Sequence, residues 1–297
     1  MTTDAAAAAA TGSPKATEPE ILRYAAFATD PRGGNPAGVV LDATGLTAER
    51  MLAIAAEVGY SETAFLVPGP AGAYTVRYFS PLAEVPFCGH ATVASAVALA
   101  ERVGPGEFLY RTPAGEVTED ADGGLRATLT SVEPDVTAVD PADVTEALAL
   151  LGWAAGDLDP ALPPRYAFAG ARHLVLAAAT RDRLARLAYD FDGLAAFMTA
   201  RELTTVQLVW REALDVFHVR DPFPVGGVVE DPATGAAAAA FGAYLRDLDP
   251  AAPDVLTLHQ GEDLGRPGLL RVDLRSAAPR VRVSGAGVAI GDEVPVH

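Results

Sequence analysis

The stretch Glu84–Gly104 reads EVPFCGHATVASAVALAERVG, and it decides the fold. A strand-like segment, Tyr74–Phe79, precedes it, and Gly89 opens an Ala-rich run that Gly104 can close as a helix. This run carries no charge over residues 91–100. Because a helix that is apolar all round is buried, we predict a central helix enclosed by strands.

The start of this predicted helix has the properties of an anion-binding site. Its first turn leaves backbone N–H groups without partners inside the helix, and the helix dipole places partial positive charge there. Gly89 has no side chain that would keep a ligand away from these N–H groups. We therefore predict that Gly89 binds substrate.

The second half of the chain repeats this design. The strand-like Leu214–Val219 is followed by a loop that reads GGVVEDPATG over residues 226–235. A run of five alanines, 236–240, and the segment FGAYL then form a second apolar helix. Two strand–loop–glycine–helix units in one chain suggest a duplicated fold, and the two helix starts could face one another across a cleft.

Length and composition favour two domains. A chain of 297 residues with 50% hydrophobic residues can bury one or two full cores. We predict an N-terminal domain over residues 19–133 and a C-terminal domain over residues 134–297, with the last strand returning to the first domain. The Pro- and Asp-rich segment 133–141 is the expected linker. Residues 1–18, rich in Ala and Thr, are expected to form a disordered tail.

Charge and cysteine content restrict the partners. A net charge of −17 and a pI of about 4.6 argue against nucleic acid and anionic membranes, since both would be repelled. Cys88 is the only cysteine, so no internal disulfide can form and nothing suggests secretion. No apolar run reaches membrane-spanning length. We expect a cytoplasmic protein that acts on a small molecule.

The pattern of short strands around two apolar helices predicts an α+β fold. It favours two half-barrels, each a curled sheet around one buried helix, over a doubly wound sheet with amphipathic helices outside. The chain has no Gly-x-Gly-x-x-Gly after a strand and no Gly-Lys-Ser/Thr, which disfavours nucleotide binding. We found no motif for a metal or another cofactor, and we expect none.

Six motifs in order carry a family resemblance. They are Gly34–Val39, Ser61–Thr63, Tyr78–Pro81, Glu84–Thr92, Glu230–Gly235, and Gln260–Gly261 before Gly265–Pro267. This set resembles the PhzF family of phenazine-biosynthesis-like isomerases, which shares its fold with diaminopimelate epimerase and proline racemase. The resemblance covers about residues 20–290. It implies two similar domains with the active site between them, proton transfer without a cofactor, and a homodimer.

The resemblance also implies the site residues. The glutamate that removes and returns the substrate proton in the family matches Glu62, and the family's histidine and aspartate match His90 and Asp231. Beside these residues, we predict that Gly89, Gly235, Ala236 and Ser61 bind substrate, with the backbone N–H groups of Gly235 and Ala236 at the second helix start. Ala236 stands where the family usually has a serine that helps to bind a substrate carboxylate, so the phenazine-pathway substrate itself is in doubt.

Each of these residues also has a purely structural interpretation. Most glutamates are solvated, so Glu62 could be an exposed loop residue. A histidine at a helix start could only support the fold, and an aspartate before proline is a favoured N-cap. Cys88 is expected to be a small buried apolar residue, because the second helix start has no cysteine for two-thiol chemistry. The four other histidines, with no metal-ligand spacing, are expected to be structural: His173, His218, His259 and His297.

We conclude from the sequence that the chain is a cofactor-free isomerase acting by proton transfer on a small carboxylated, cyclic or conjugated metabolite. Glu62 would remove the proton, the helix starts would hold the carboxylate, and His90 with Asp231 would orient the substrate and deliver the proton. Two alternatives are open. One is epimerisation, elimination or cyclisation at the same site, and the other is a catalytically silent binding protein.

Overall fold

The structure, a computed structural model, describes residues 18–113, 115–122, 125–275 and 277–291. The strands are β1 Leu22–Ala26, β2 Asn35–Val40, β3 Glu62–Pro68, β4 Ala73–Phe79, β5 Glu84–Val85, β6 Gly106–Thr112, β7 Gly115–Asp122, β8 Arg126–Thr130, β9 Asp135–Ala138, β10 Arg165–Phe168, β11 Arg172–Ala177, β12 Thr205–Arg211, β13 Val216–Pro222, β14 Glu230–Asp231, β15 Val255–Gln260, β16 Gly268–Asp273 and β17 Arg282–Ala289. The α-helices are α1 Ala48–Val58, α2 Gly89–Val103, α3 Pro141–Leu151, α4 Arg181–Ala185, α5 Phe191–Ala200 and α6 Gly235–Leu248.

The helix α2 is the buried centre of the first half, as the sequence predicts. Every residue from Gly89 to Leu99 is buried, because Ala, Val and Leu face outward in all directions. Strands β1, β2, β3, β7, β8 and β17 contact this helix. They belong to a curled sheet in which β1 pairs with β2, β2 with β3, β3 with β4, β4 with β6, β6 with β7 and β7 with β8.

The second half repeats this arrangement around α6. All residues from Gly235 to Leu245 are buried, and β9, β10, β11, β16 and β17 contact the helix. Here the sheet runs from β9 through β10, β11, β12, β13 and β15 to β16. The predicted α+β architecture, with a curled sheet around each of two apolar helices, is confirmed.

Strand β17 joins the two halves. It pairs with β16 of the second half, with β8 of the first half, and at its end with β1. One hydrophobic core contains residues of both central helices, for example Val97 of α2 and Phe241 of α6. The starts of the two helices are therefore held in a fixed position relative to each other.

The remaining helices cover the outer faces of the sheets. The amphipathic helix α1 packs Met51 and Ile54 against Phe65 and Phe79 on the first sheet. Helices α3, α4 and α5 form a separate core with the outward-facing residues of β10, β11 and β12. The N-cap of α1, Thr47, accepts a hydrogen bond from the Arg50 N–H, and Gly59 ends the helix with a φ of 74°.

The strands β9 and β10 were not predicted. The segment predicted as the linker contains β9, which pairs with β10 although its side chains are mostly exposed. This edge strand is polar on its open side, so its composition resembles that of a loop. Strand β10 was not predicted, because four residues after a loop rich in proline and glycine are too few to show a period.

Both ends of the chain lie mostly outside the described residues. The expected disordered tail lies almost entirely outside the described residues, which begin at Glu18, and so do residues 292–297 at the other end. Among the described helices, none combines the length and the hydropathy that crossing a membrane requires.

Candidate active site

A cavity of about 520 Å³ lies at the starts of the two central helices. It is lined by Glu62, Val85, Pro86, Phe87, Cys88, Gly89, His90, Phe168, Gly170, Ala171, Arg172, Glu202, Thr204, Phe223, Asp231, Thr234, Gly235 and Ala236. Both halves of the chain contribute to this lining. The three residues predicted to be catalytic, Glu62, His90 and Asp231, are thus brought to one cavity, together with both predicted glycines.

Glu62 is the first residue of β3 and lines the cavity. Its partner in the neighbouring strand is Ala37 of β2. Glu62 is only 8% exposed, although most glutamates are solvated. Its carboxylate oxygen Oε2 lies 3.4 Å from Nε2 of His90. A buried carboxylate with one face on a cavity is suited to exchanging a proton with a bound molecule.

His90 connects Glu62 to the second half of the chain. Its Nε2 faces Glu62, and its Nδ1 lies 3.0 Å from the side-chain amide nitrogen of Asn35. The same amide nitrogen donates to Oδ1 of Asp231 at 2.7 Å and to the Ala233 carbonyl at 3.0 Å. The Asn35 N–H₂ has two protons for these three acceptors, so Nδ1 of His90 shares them with Asp231 and the Ala233 carbonyl.

Asp231 ends the short strand β14, and a buried ion pair supports this strand. Arg220 donates to both carboxylate oxygens of Glu230, at 3.0 and 2.5 Å, and to the Ala185 carbonyl. The interpretation of Asp231 as a helix cap is wrong, since α6 begins only at Gly235 with Thr234 as its N-cap. The side chain of Thr234 instead donates to Oδ2 of Asp231 at 2.6 Å.

The environment of Asp231 stabilises its protonated form more than water does. Burial raises the pKa of Asp231 to about 6, and the nearby Glu62 carboxylate acts in the same direction. His90 and the hydrogen bonds from Thr234 and Asn35 partly offset this rise. A carboxyl group with a pKa close to neutrality can serve as a proton donor or acceptor under physiological conditions.

The two central helices lack side-chain caps at the cavity. The N-cap residues, Cys88 of α2 and Thr234 of α6, make no capping hydrogen bond. All other described α-helices have one, from Thr47, Asp140, Thr180 or Asp190. The first-turn N–H groups of α2 and α6 are therefore available to an anionic ligand.

The two uncapped helix starts almost touch. A side chain at Gly89 would place its Cβ 3.4 Å from the backbone nitrogen of Ala236 and 3.6 Å from Cα of Gly235. These are ordinary van der Waals distances, so the two helix starts are in direct contact range. One small anion could contact both helix starts, where the positive ends of two dipoles add.

Cys88 lies inside the site, although it was expected to be only a small apolar residue. It is buried, and its Sγ lies 3.4 Å from Nδ1 of His90. Burial, together with the nearby Glu62 carboxylate, raises the pKa of Cys88 well above its usual value, so the thiol is protonated at neutral pH. One ligand-type atom each from Glu62, Cys88 and His90 lies within 4.8 Å of the others, so these three residues could hold a metal ion.

The other predicted residues lie as follows. Ser61 is half-buried with its hydroxyl 3.3 Å from Nε2 of His90, and it is not among the residues that line the cavity. Ala236 lines the cavity and is 7% exposed. His173, His218 and His259 are in strands of the second half and do not line the cavity, and His297 lies outside the described residues.

Several contacts at the site were not predicted. Asn35 was part of a motif but was given no role, although it is the only asparagine in the chain. Gln260 holds the loop before α6, since its side chain donates to the Asp231 carbonyl and accepts from the Thr234 N–H. Three phenylalanines, Phe87, Phe168 and Phe223, supply apolar walls to the cavity. Their positions depend on the tertiary structure, and no local sequence signal identifies them.

Relatives of known sequence match nearly the whole chain. An uncharacterized isomerase from Deinococcus radiodurans is 35% identical over 283 residues, covering 90% of this chain and 91% of that protein. Trans-2,3-dihydro-3-hydroxyanthranilate isomerase from Pseudomonas chlororaphis is 32% identical over 277 residues, covering 90% of this chain and 95% of that enzyme.

Solved structures support the fold. The phenazine biosynthesis protein of the PhzF family from Bacillus anthracis has a TM-score of 0.80 at 27% identity, covering 91% of this chain and 96% of that one. A probable proline racemase from Agrobacterium radiobacter, only 14% identical, shares the fold with a TM-score of 0.63 and 93% coverage of each chain. The sequence model of the PhzC-PhzF family, described as phenazine biosynthesis-like proteins, matches residues 24–292 of this chain. The chain therefore belongs to the PhzC-PhzF family of phenazine biosynthesis-like proteins, whose relatives are named isomerases.

Proposed function

We propose that this isomerase moves a proton on a small carboxylated, cyclic or conjugated metabolite without a cofactor. The observation that carries the proposal is the convergence of Glu62, His90 and Asp231 on one cavity at two uncapped helix starts. Such a site combines groups that exchange protons with N–H groups that stabilise an anion.

Glu62 is the proposed base. Its carboxylate would remove a proton from a carbon next to an activating group, which leaves negative charge on the conjugated system. The first-turn N–H groups at Gly89, Gly235 and Ala236 would hold the substrate carboxylate and stabilise that charge. The apolar walls exclude water, which strengthens these electrostatic interactions.

His90 and Asp231 are the proposed positioning and proton-delivering groups. Nε2 of His90 lies 3.4 Å from the Glu62 carboxylate, so the ring would hold this carboxylate in place and could donate a proton to the substrate. Asp231, with a pKa of about 6, can return a proton to a second position of the substrate. A proton removed at one carbon and added at another gives an isomer, and the reaction needs no redox step.

The substrate is proposed by similarity as a dihydro-hydroxyanthranilate or a related carboxylated ring. The relative from Pseudomonas chlororaphis is named for such a substrate. A ring of that size fits a cavity of about 520 Å³ with three phenylalanines in its walls. Ala236 differs from the serine expected from the family resemblance, so a related acid is as compatible with the site as that compound.

The test compares two glutamates that line the same cavity. Glu62→Gln is expected to lower turnover by about 10²–10⁴-fold, because it removes the general base. Glu202→Gln is the matched control, since Glu202 makes no hydrogen bond to Glu62, His90 or Asp231 in the described structure, and it should retain near wild-type turnover. Incorporation of solvent deuterium into trans-2,3-dihydro-3-hydroxyanthranilate and related acids is the readout.

The outcomes separate the alternatives. Deuterium uptake that Glu62→Gln abolishes supports the proposal, and the stereochemistry of the product distinguishes isomerisation from epimerisation. Turnover of Glu62→Gln at the wild-type rate would refute the role of Glu62. Binding of these acids without any deuterium uptake would favour a silent binding protein.

Two further parts of the proposal concern a metal ion and the oligomeric state. We propose that activity survives dialysis against a chelator, although Glu62, Cys88 and His90 could hold a metal. Activity lost on dialysis and restored by one metal would contradict this.

We also propose a homodimer, as the family resemblance implies, and light scattering that gives a mass near 30.7 kDa would contradict it.

A further inference from the structure

A cluster of buried polar side chains lies beneath α6, behind the cavity. Its members are His173 of β11, Thr205 and Gln207 of β12, and Asp221 of β13, each 1% exposed or less. They lie on the sheet face that packs on α6, because Val175, Val209 and Val219, two residues away along the same strands, belong to the core around α6.

The hydrogen bonds within the cluster form a chain from Asp221 to His173. The Thr205 hydroxyl lies 2.9 Å from Oδ1 of Asp221 and 2.8 Å from Nδ1 of His173. A neutral Asp221 can donate its proton to Thr205, whose hydroxyl can then donate to His173. Burial lowers the pKa of His173 to about 3, so the ring is neutral.

Few neighbouring groups would stabilise a negative charge on the Asp221 side chain. Its Oδ2 has no hydrogen-bond partner within the part of the chain that the structure describes. The groups around it are the neutral His173, Thr205 and Thr234, and the carboxyl groups of Glu230 and Asp231. The adjacent Arg220 pairs with Glu230, and residues 235–241 of α6 carry no charge.

A buried carboxylate in such surroundings is strongly disfavoured relative to the neutral acid. Burial raises the pKa of Asp221 well above its usual value, and the charges of Asp231 and Glu230 act in the same direction. The nearby Thr205 and Thr234 hydroxyls oppose this effect.

Asp221 is also connected to the site. It is the β-sheet partner of Asp231 where β13 pairs with β14. Thr234, which donates to Asp231 at 2.6 Å, also interacts with the Asp221 side chain. We propose that Asp221 is a positioning residue for Asp231: an uncharged side chain that fills the space behind the Asp231 carboxyl group, keeps water from it and adds no charge.

This proposal rests on the role given to Asp231 under the proposed function, but its test does not require turnover. Carboxyl groups are followed by ¹³C NMR in protein labelled at the aspartate carboxyl carbon, over a range of pH. Asp221→Asn and Asp231→Asn assign the two signals. The wild-type Asp221 signal is expected to stay at the position of a protonated acid up to neutral pH, and the Asp231 signal to titrate near 6.

Two substitutions then test positioning. Asp221→Asn keeps the shape and the neutrality, so the titration of Asp231 should be unchanged. Asp221→Ala opens the space to water, so the pKa of Asp231 should fall by about one unit or more toward the usual aspartate value, roughly 3.9. If Asp221→Ala does not fold, Asp221→Ser makes the same test. Asp247→Asn, an exposed position on α6, is the control and should change neither signal.

Two results would overturn the proposal. One is an Asp221 signal that titrates near the usual aspartate value, which would show an ionised group. The other is an Asp231 pKa that is the same in wild type, Asp221→Asn and Asp221→Ala, which would leave Asp221 only a structural role. Normal turnover of Asp231→Asn would instead refute the proposed function and leave the NMR result for Asp221 valid.

Discussion

Asn35 and Asp231, 196 residues apart in the chain, are joined by a hydrogen bond of 2.7 Å from the amide nitrogen to Oδ1. The same nitrogen contacts Nδ1 of His90 at 3.0 Å, so one side chain fixes two of the three proposed catalytic groups. Asn35 is 1% exposed, and water cannot replace these contacts. Asn35 therefore links the two halves of the chain at the site.

Asn35→Asp should impair both catalysis and stability. An ionised carboxylate cannot donate to His90 or Asp231, and it adds a negative charge beside Asp231. Leaving buried groups unsatisfied costs about 1–3 kcal/mol. We expect a drop in kcat of about 100-fold or more and a lower unfolding midpoint in urea. Gln260→Glu is the matched control, because Gln260 holds the loop before α6 without contacting His90, and its kcat should fall less. Equal losses in kcat would argue against a special role for Asn35.

Binding of a carboxylated ligand should depend on pH through Asp231. Below a pH of about 6, Asp231 is uncharged, and above it the carboxylate repels an anion in the same cavity. The affinity should fall as the pH rises, by up to about tenfold per pH unit if only the protonated form binds. Calorimetric titration with 3-hydroxyanthranilate measures this. Asp231→Asn should remove the dependence, and an unchanged slope in this variant would assign it to another group.

Ala236→Ser should strengthen the binding of carboxylates. Ala236 lies in the first turn of α6 at the cavity, where a hydroxyl could donate to the ligand. A hydrogen bond to a charged group contributes about 1.5–3 kcal/mol, so Kd should fall about tenfold or somewhat more. Ala237→Ser is the control, since Ala237 is buried in the same helix and does not line the cavity. If the wild type binds tightly and Ala236→Ser has the same Kd, this position does not select the substrate.

Glu202→Gly should stabilise the protein. Glu202 follows the end of α5 with a φ of 54°, a left-handed conformation that glycine adopts without strain. The strain for other residues is about 1–2 kcal/mol, so the free energy of unfolding should rise by about 1 kcal/mol. Glu202→Gln keeps the side-chain length and the strain, and its stability should equal that of the wild type. A gain in both variants would point to the loss of charge instead of the backbone.

The sequence by itself determined the two apolar helices and the motifs that contain Glu62, His90 and Asp231. These features are local, since a helix that is apolar on every side and a motif are both visible within a few residues. Ala236 could likewise be recognised as unusual from the motif alone.

Only the tertiary structure decided which of these residues meet and how they are charged. The contacts of Asn35 with Asp231, the pairing of Asp221 with Asp231, and the strand β9 in the expected linker all join segments far apart in sequence. The pKa of Asp231 follows from burial by both halves, which no window of sequence contains. Long-range packing sets the solvation of a side chain, and solvation sets its charge, so the chemistry of the site could not be predicted from local pattern.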